Sequence, residues 1–446
     1  MWKLISLLIL FIASTTSISA SDYYVSTTGS DSNQGTSASP YKTISKGISS
    51  LNPGDKLAIG PGQYSSFSVT KSGTDLSPIN IIAQNATISG GNTAINLSGS
   101  FINVSGFEVS GTSSHAVLIS GKNISFKDFI VHDSVNENMG SNGSCSGSGG
   151  WGSGLKVMVG SENILLENGS IYRNCGEGLG ITRGINVTAR NLIAYDNFSV
   201  NFYLDNSRDV TLENSLTYCT NDTRYYRSGQ PAAGILIGEE SYSGWGAQLT
   251  NLKVINNLSH GCKGLSFYGA EVSPGGLKGA LIAHNTIVSI YSGGKGISIA
   301  TEPDNRDIKI INNIASGPIT TGTGITASNN LTSTTFATTP NPNNPTSFMP
   351  NINSSAINQG NATIGIATDY SQNVRNNPPD IGALEFVDSN QTSPLPSPSS
   401  SPLTTKPGDF NHDNVVNFLD FDVISKNFNN PFSIYDYNLL ISTYGT

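Results

Sequence analysis

Two parts of this chain carry residue types that chemistry needs. Near its end, DFNHDNVVNFLD (409–420) places oxygen-bearing side chains at its first, third, fifth, ninth and twelfth positions. That is the spacing with which a loop wraps a hard cation such as calcium. In the middle, the cations Lys156, Arg183, Arg224 and Arg227 recur beside the carboxylates Glu177, Asp205, Glu239 and Glu240. Trp151, Tyr203, Trp245 and Tyr268 lie among them. Two carboxylates across a cleft can hydrolyse a glycosidic bond by acid–base chemistry, and flat aromatic rings can stack on sugars. Each group also has a plainer reading, as a solvated surface charge or a ring that packs a loop, so the elements that hold them decide.

Those elements repeat. The segments beginning at Asn123, Asn163, Asn186, Asp209, Asn251, Ala280 and Asp307 share one alternation of polar and apolar residues, and a weaker copy begins at Phe101. Starts at 163, 186 and 209 are 23 residues apart, a length that accommodates three short strands and three turns in one coil. Asn168, Asn191, Asn214, Asn256, Asn285 and Asn312 hold the sixth place of six copies, so stacked coils should superpose their amides. These features predict an all-β right-handed parallel β-helix, and the repeat is too short for propeller blades.

A second strand follows in each copy: HAVLIS, GLKVMV, GLGITR, NFYLDN, GILIGE, GLSFYG and GISIAT. Alternation sends Leu155, Val157, Leu179, Ile181, Phe202, Leu204, Ile235 and Ile237 inward. It sends Lys156, Thr182, Tyr203, Asp205 and Tyr268 outward, with Arg183 and Glu239 at strand ends. Two copies are oversized, at 40 residues from 123 to 163 and 42 from 209 to 251. Their insertions, NENMGSNGSCSGSGGWG and TNDTRYYRSGQPAAG with a trailing EESYSGWG, should rise beside the outward strands as cleft walls. The four cysteines lie at that corner, and neighbouring coils favour the pairs Cys145–Cys175 and Cys219–Cys262 among three connectivities.

The remaining organisation concerns address. Residues 1–20 combine Lys3, a short apolar run and small residues, as a signal peptide does, which predicts a secreted or cell-surface protein. Residues 21–387 form the solenoid, and its early SPYKTISKGISSLNPGD reads as an amphipathic capping helix. Residues 388–407 are a Pro/Ser/Thr linker, and 408–446 a separate small module. Charged residues make up 12% and the net charge is −8, with no basic run, which excludes nucleic acid as an expected partner. A polar, weakly charged surface favours a carbohydrate. The Asn-X-Ser/Thr triplets at Asn123 and Asn186 read as repeat residues rather than glycan sites.

The opening YYVSTTGSDSNQGTSASPYKTISKGISSLNPGDKLAIGPGQY, the Asn repeats and the closing SSAINQG…PDIGALEF resemble the secreted pectate-lyase-like β-helix proteins, nearest the chondroitinase-B-type and alginate-type lyases. The resemblance covers residues 22–387. It implies β-elimination, in which a Lys or Arg removes the proton α to a uronate carboxylate, often with calcium on that carboxylate. Lys156 is the candidate base, with Arg183, Asp205 and Glu239 as further catalytic candidates. Trp151, Tyr203, Arg224, Arg227, Trp245 and Tyr268 are candidate substrate contacts. Glycoside hydrolysis on the same fold, or a non-catalytic carbohydrate-binding or adhesive role, are the alternatives.

Residues 407–446 resemble a type I dockerin, the calcium module that attaches enzymes to cohesin-bearing scaffolds. That resemblance implies calcium ligands at Asp409, Asn411, Asp413, Val415 through its carbonyl, Asn417 and Asp420. Asn414 stands where glycine is usual. The similar DFDVISKNF and DYNLLISTY begin only 16 residues apart, and NNPFSIYD lacks acidic ligands, so one loop is intact.

Overall fold

The computed structural model describes residues 20–147, 149–289 and 296–386. The leader up to residue 19, the linker and the calcium-loop module lie outside the described residues. Strands stack in parallel from coil to coil, and they form two sheets wound into a β-helix. One sheet holds the short strands Phe67–Val69, Ile95–Leu97, Val117–Ile119, Ser153–Val157, Glu177–Thr182, Val200–Asp205, Ala233–Glu239, Leu265–Ala270 and Ile297–Ile299. Among the described residues no helix is long and apolar enough to cross a membrane.

The other sheet uses a device the repeat conceals. Lys122–His132, Glu162–Tyr172 and Ile185–Tyr195 are each a continuous eleven-residue strand, where two short strands and a turn were expected. Each has a left-handed residue at its second position, Asn123, Asn163 or Asn186, and bends midway at another: Asp128, Asn168 and Asn191, with φ of 52°, 56° and 54°. Asn and Asp tolerate that conformation better than other side chains. The bend lets Ile164 and Leu166 before it, and Ile171 after it, all enter the core.

Register carries this column onward through Asn214, Asn256, His284, Asn312 and Asn329, all with positive φ. The sixth-place alignment thus needs one correction: in its copy His284, not Asn285, stands at the bend. Asn285 lies one place inward, in a buried amide ladder. There Asn257 Nδ2 donates to Asn285 Oδ1 at 3.0 Å, Asn285 Nδ2 to Asn313 Oδ1 at 2.9 Å, and Asn313 Nδ2 to Asn330 Oδ1 at 3.0 Å. In the outer column Asn191 donates to Asn168, and Asn168 to Asp128. The triplet residues behave alike: Asn186 Nδ2 donates to Asn163, and Asn163 to Asn123.

The lower half of the bend column is held by the returning C-terminal segment instead. Asn256 Nδ2 donates to Thr368 O, Asn312 Nδ2 to Asn361 O and Asn329 Nδ2 to Gln359 O. His284 Nδ1 donates to Gly382 O at 3.2 Å, and its Nε2 accepts from Asn312 Nδ2 at 2.9 Å. Arg375, buried with Glu385 at 3.1 Å, also donates to Asn256 Oδ1. Phe348, Ala383 and Leu384 cover Leu216 and Leu258. At the other end the helix Ile44–Ser50 caps the solenoid, with Thr43 accepting from Lys46 N and Ile44 and Ile48 buried, as the amphipathic pattern predicts.

Both predicted disulfides form, Cys145–Cys175 and Cys219–Cys262. The inward set is equally clear. Leu155, Leu179, Phe202 and Ile235 are at most 1% exposed, and truncating one such residue to alanine costs about 2–5 kcal/mol.

Candidate functional site

The outward residues of the short-strand sheet are not on an open surface. Lys156 pairs in register with Gly180, Gly180 with Tyr203, and Tyr203 with Leu236, so successive coils present them side by side. Lys156 is 8% exposed and Asp205 0%, because the insertions stand over them. The two insertions are joined: Cys145 N donates to Arg224 O at 2.9 Å, and Val135, Phe198 and Tyr225 pack around the Cys145–Cys175 disulfide. Between these walls lies a cleft of about 640 Å³ whose lining includes Trp151, Lys156, Arg183, Tyr203, Arg227 and Tyr268.

Lys156 sits at the cleft floor. Its Nζ donates to Glu177 Oε2 at 2.8 Å, and Ser153 Oγ donates to the same oxygen at 2.7 Å. His115 flanks the pair, its Nδ1 accepting from Ser153 N at 3.1 Å, which leaves the proton of the neutral ring on Nε2. Burial, with the Lys156 charge behind it, pushes the His115 pKa down. One coil on, the Arg183 guanidinium lies over the rings of Tyr242 at 4.5 Å and Trp245 at 4.8 Å. Across the cleft, Arg227 lies over Trp151 at 4.6 Å and donates to Ser199 Oγ. Cation–aromatic contacts of this kind hold a guanidinium in place without neutralising it.

A second cluster adjoins the first. Glu240 Oε1 accepts from Tyr203 OH at 2.6 Å and Tyr268 OH at 3.1 Å. The Tyr242 hydroxyl lies 2.6 Å from Asp205 Oδ2 and 3.0 Å from Glu240 Oε2. A phenol has one proton, so bridging two carboxyl oxygens requires a second proton on one of them. Asp205 is that group. Burial raises its pKa to about 7, Tyr242 opposes the shift, and the Glu240 charge adds to it. The buried Asp205 Oδ1, Thr182 Oγ1 and Arg183 Nε have no hydrogen-bond partner among the described residues.

The cleft gathers Lys156, Arg183, Trp151, Tyr203, Arg227 and Tyr268, and it has Asp205 under its floor. It does not gather Glu239 or Arg224. Glu239 is fully buried and accepts from Gln248 N, Leu249 N and Gly276 N, so its carboxylate closes a turn. Arg224 turns outward to Asp222 at 2.6 Å. Trp245 meets the site through Arg183. His115, Ser153 and Tyr242 were not anticipated. His115 opens its strand copy and was legible by position, whereas Tyr242 lies in an insertion with no periodicity to assign its direction. No group of three His, Cys, Asp or Glu side chains among the described residues gathers to hold a metal ion.

Residues 23–149 match the family model described as the Pel9A-like right-handed β-helix region, a span that ends just before the cleft strand Ser153–Val157. A search of curated proteins finds no match. Among solved structures, the chain is similar to pectate lyase Pel9A, with 18% identity over 83% of this chain and 97% of that one, and a TM-score of 0.56. It is also similar to a rhamnogalacturonan lyase, at 18% identity over 63% of this chain and 87% of that one, with a TM-score of 0.47. At such identities the likeness to Pel9A shows the fold alone, a right-handed parallel β-helix.

Proposed function

We propose that the chain is a polysaccharide-active enzyme that cleaves an acidic polysaccharide by β-elimination in the walled cleft. The observation that carries the reading is Lys156, held by Glu177, whose Oε2 Ser153 also fixes, on the floor of a cleft with two ring-held guanidinium groups. Lyase names among the fold relatives support the same class. In this reading Arg183 and Arg227 neutralise the uronate carboxylate, which acidifies the carbon beside it. Lys156 Nζ, entering the step as the free amine, takes the proton from that carbon. The C–H electron pair forms a carbon–carbon double bond, the glycosidic C–O bond at the β-carbon breaks, and the leaving oxygen takes a proton. General base catalysis of this kind contributes about 10²–10⁴-fold.

Hydrolysis is the second reading, favoured by one observation: Asp205 carries its proton up to about pH 7 beside the carboxylate Glu240, as an acid–base pair requires. Incubation with pectate, alginate and chondroitin separates the readings. New absorbance near 230 nm marks the double bond of elimination, whereas reducing ends without it mark hydrolysis. If neither appears with any polymer, a binding or adhesive role replaces both. We further propose export through the leader, and calcium-dependent attachment to a cohesin scaffold through Asp409–Asp420, which calcium titration of the full-length protein tests.

A further inference from the structure

A second groove, of about 940 Å³, runs over the outer surface of the other sheet. Its floor is the register column Thr211, Lys253, Leu281, Lys309 and Thr326. Alternation buries Leu252, Val254, Ile308 and Ile310 and turns the two lysines outward into the groove. They lie two coils apart, about 10 Å at the spacing of stacked strands, with the half-buried Leu281 between them.

Neither lysine has an ion-pair partner among the described residues, although other lysines of the same face do. Lys278, in the adjoining turn, pairs with Asp304 at 2.8 Å, and Lys127 with Glu167 at 2.8 Å. The groove's own carboxylates, Asp209 and Asp307, stand at its edge in the turn positions, where Asp209 Oδ1 accepts from Asn251 Nδ2. One wall is the turn Asn361–Ile364. It is fixed in place by Asn312, whose Nδ2 donates to Asn361 O at 3.0 Å and whose Oδ1 accepts from Asn361 N at 2.7 Å. A rigid wall keeps the groove open without a ligand, so binding loses little entropy to ordering it.

We infer that this groove is a second carbohydrate site, for one chain of an acidic polysaccharide, separate from the walled cleft. Two unmatched ammonium groups meet carboxylates on every second coil, Leu281 offers an apolar step for a sugar ring face, and the flanking hydroxyls and amides meet sugar hydroxyls. Such a site holds polymer near the cleft-bearing solenoid without reacting with it.

Affinity electrophoresis of the full-length protein through gels containing pectate, alginate or fully methyl-esterified pectin tests this. The double variant Lys253→Glu/Lys309→Glu is compared with the wild type and with Lys156→Ala. At least one acidic polymer should retard the wild type and Lys156→Ala alike, and the double variant should lose at least five-fold of that affinity. Lys253→Gln/Lys309→Gln should fall between. Equal retardation of the double variant and wild type, or no retardation of the wild type by any acidic polymer, overturns the inference. So does equal retardation by the esterified polymer. The outcome is independent of cleavage: loss of retardation without any 230 nm product sinks the lyase reading and leaves the groove standing.

Discussion

The two faces of this solenoid are made from the same alternating strands, yet they treat outward polar residues in opposite ways. On the short-strand face Lys156, Thr182, Tyr203 and Asp205 are all at most 8% exposed. On the other face Lys253 and Lys309 are exposed and unpaired. The difference lies in the loops, since register and spacing match. Insertions over the first face remove water from its charges, and desolvation then forces pairing and pKa shifts. With no such cover, the second face keeps solvated charges and can offer only weak, additive contacts. In the proposed reading, the groups that would react are the ones the loops cover.

The comparison breaks first at Lys156. Lys156→Ala should reduce product formation by at least about 100-fold, measured at 230 nm, while leaving gel retardation intact. Full activity in that variant would remove the assigned base. Next, Cys145→Ser with Cys175→Ser should lower stability by about 2–4 kcal/mol in thermal unfolding. It should also cut cleft activity by loosening the joined walls, with no change at the open groove.

Titration sharpens the same contrast. The Asp205 pKa rises from 3.8 to about 7 in the fold, so the folded chain holds a proton that the unfolded chain releases between those values. Stability should therefore fall as pH rises from 4 to 7, by up to about 1.4 kcal/mol per unit from this group. Asp205→Asn should flatten that slope in denaturant titrations at several pH values. His284 runs the other way. Burial, with the Arg375 charge behind it, lowers its pKa from 6.5 to about 3, so its contribution is intact above 6.5 and declines as pH falls toward 3. His284→Asn restores the residue that neighbouring coils carry at this bend, suits the φ of 52°, and should remove the acid sensitivity. Smallest of all, Lys253→Glu/Lys309→Glu should leave unfolding stability within about 0.5 kcal/mol.

Much of the fold was legible because its signals are local and repeated. Alternation assigned Leu155, Leu179, Phe202 and Ile235 to the core, and coil spacing paired all four cysteines. The site was legible only where it rides on that period: Lys156, Tyr203 and Tyr268 face the cleft as alternation requires. Glu239, at a strand end, instead closes a turn through three backbone N–H groups. Arg224 lies in an insertion where no period constrains direction, and it pairs with Asp222. Tyr242 escaped notice for the same reason.

By itself, then, the sequence determined the coil, its core and its staples, because a two-residue alternation and a stacking column need only near neighbours to be read. Only the tertiary structure decided which outward residues meet. Where aperiodic insertions fold down, they set burial, and burial decides that Lys156 binds Glu177, that Asp205 keeps its proton and that Lys253 stays free in water.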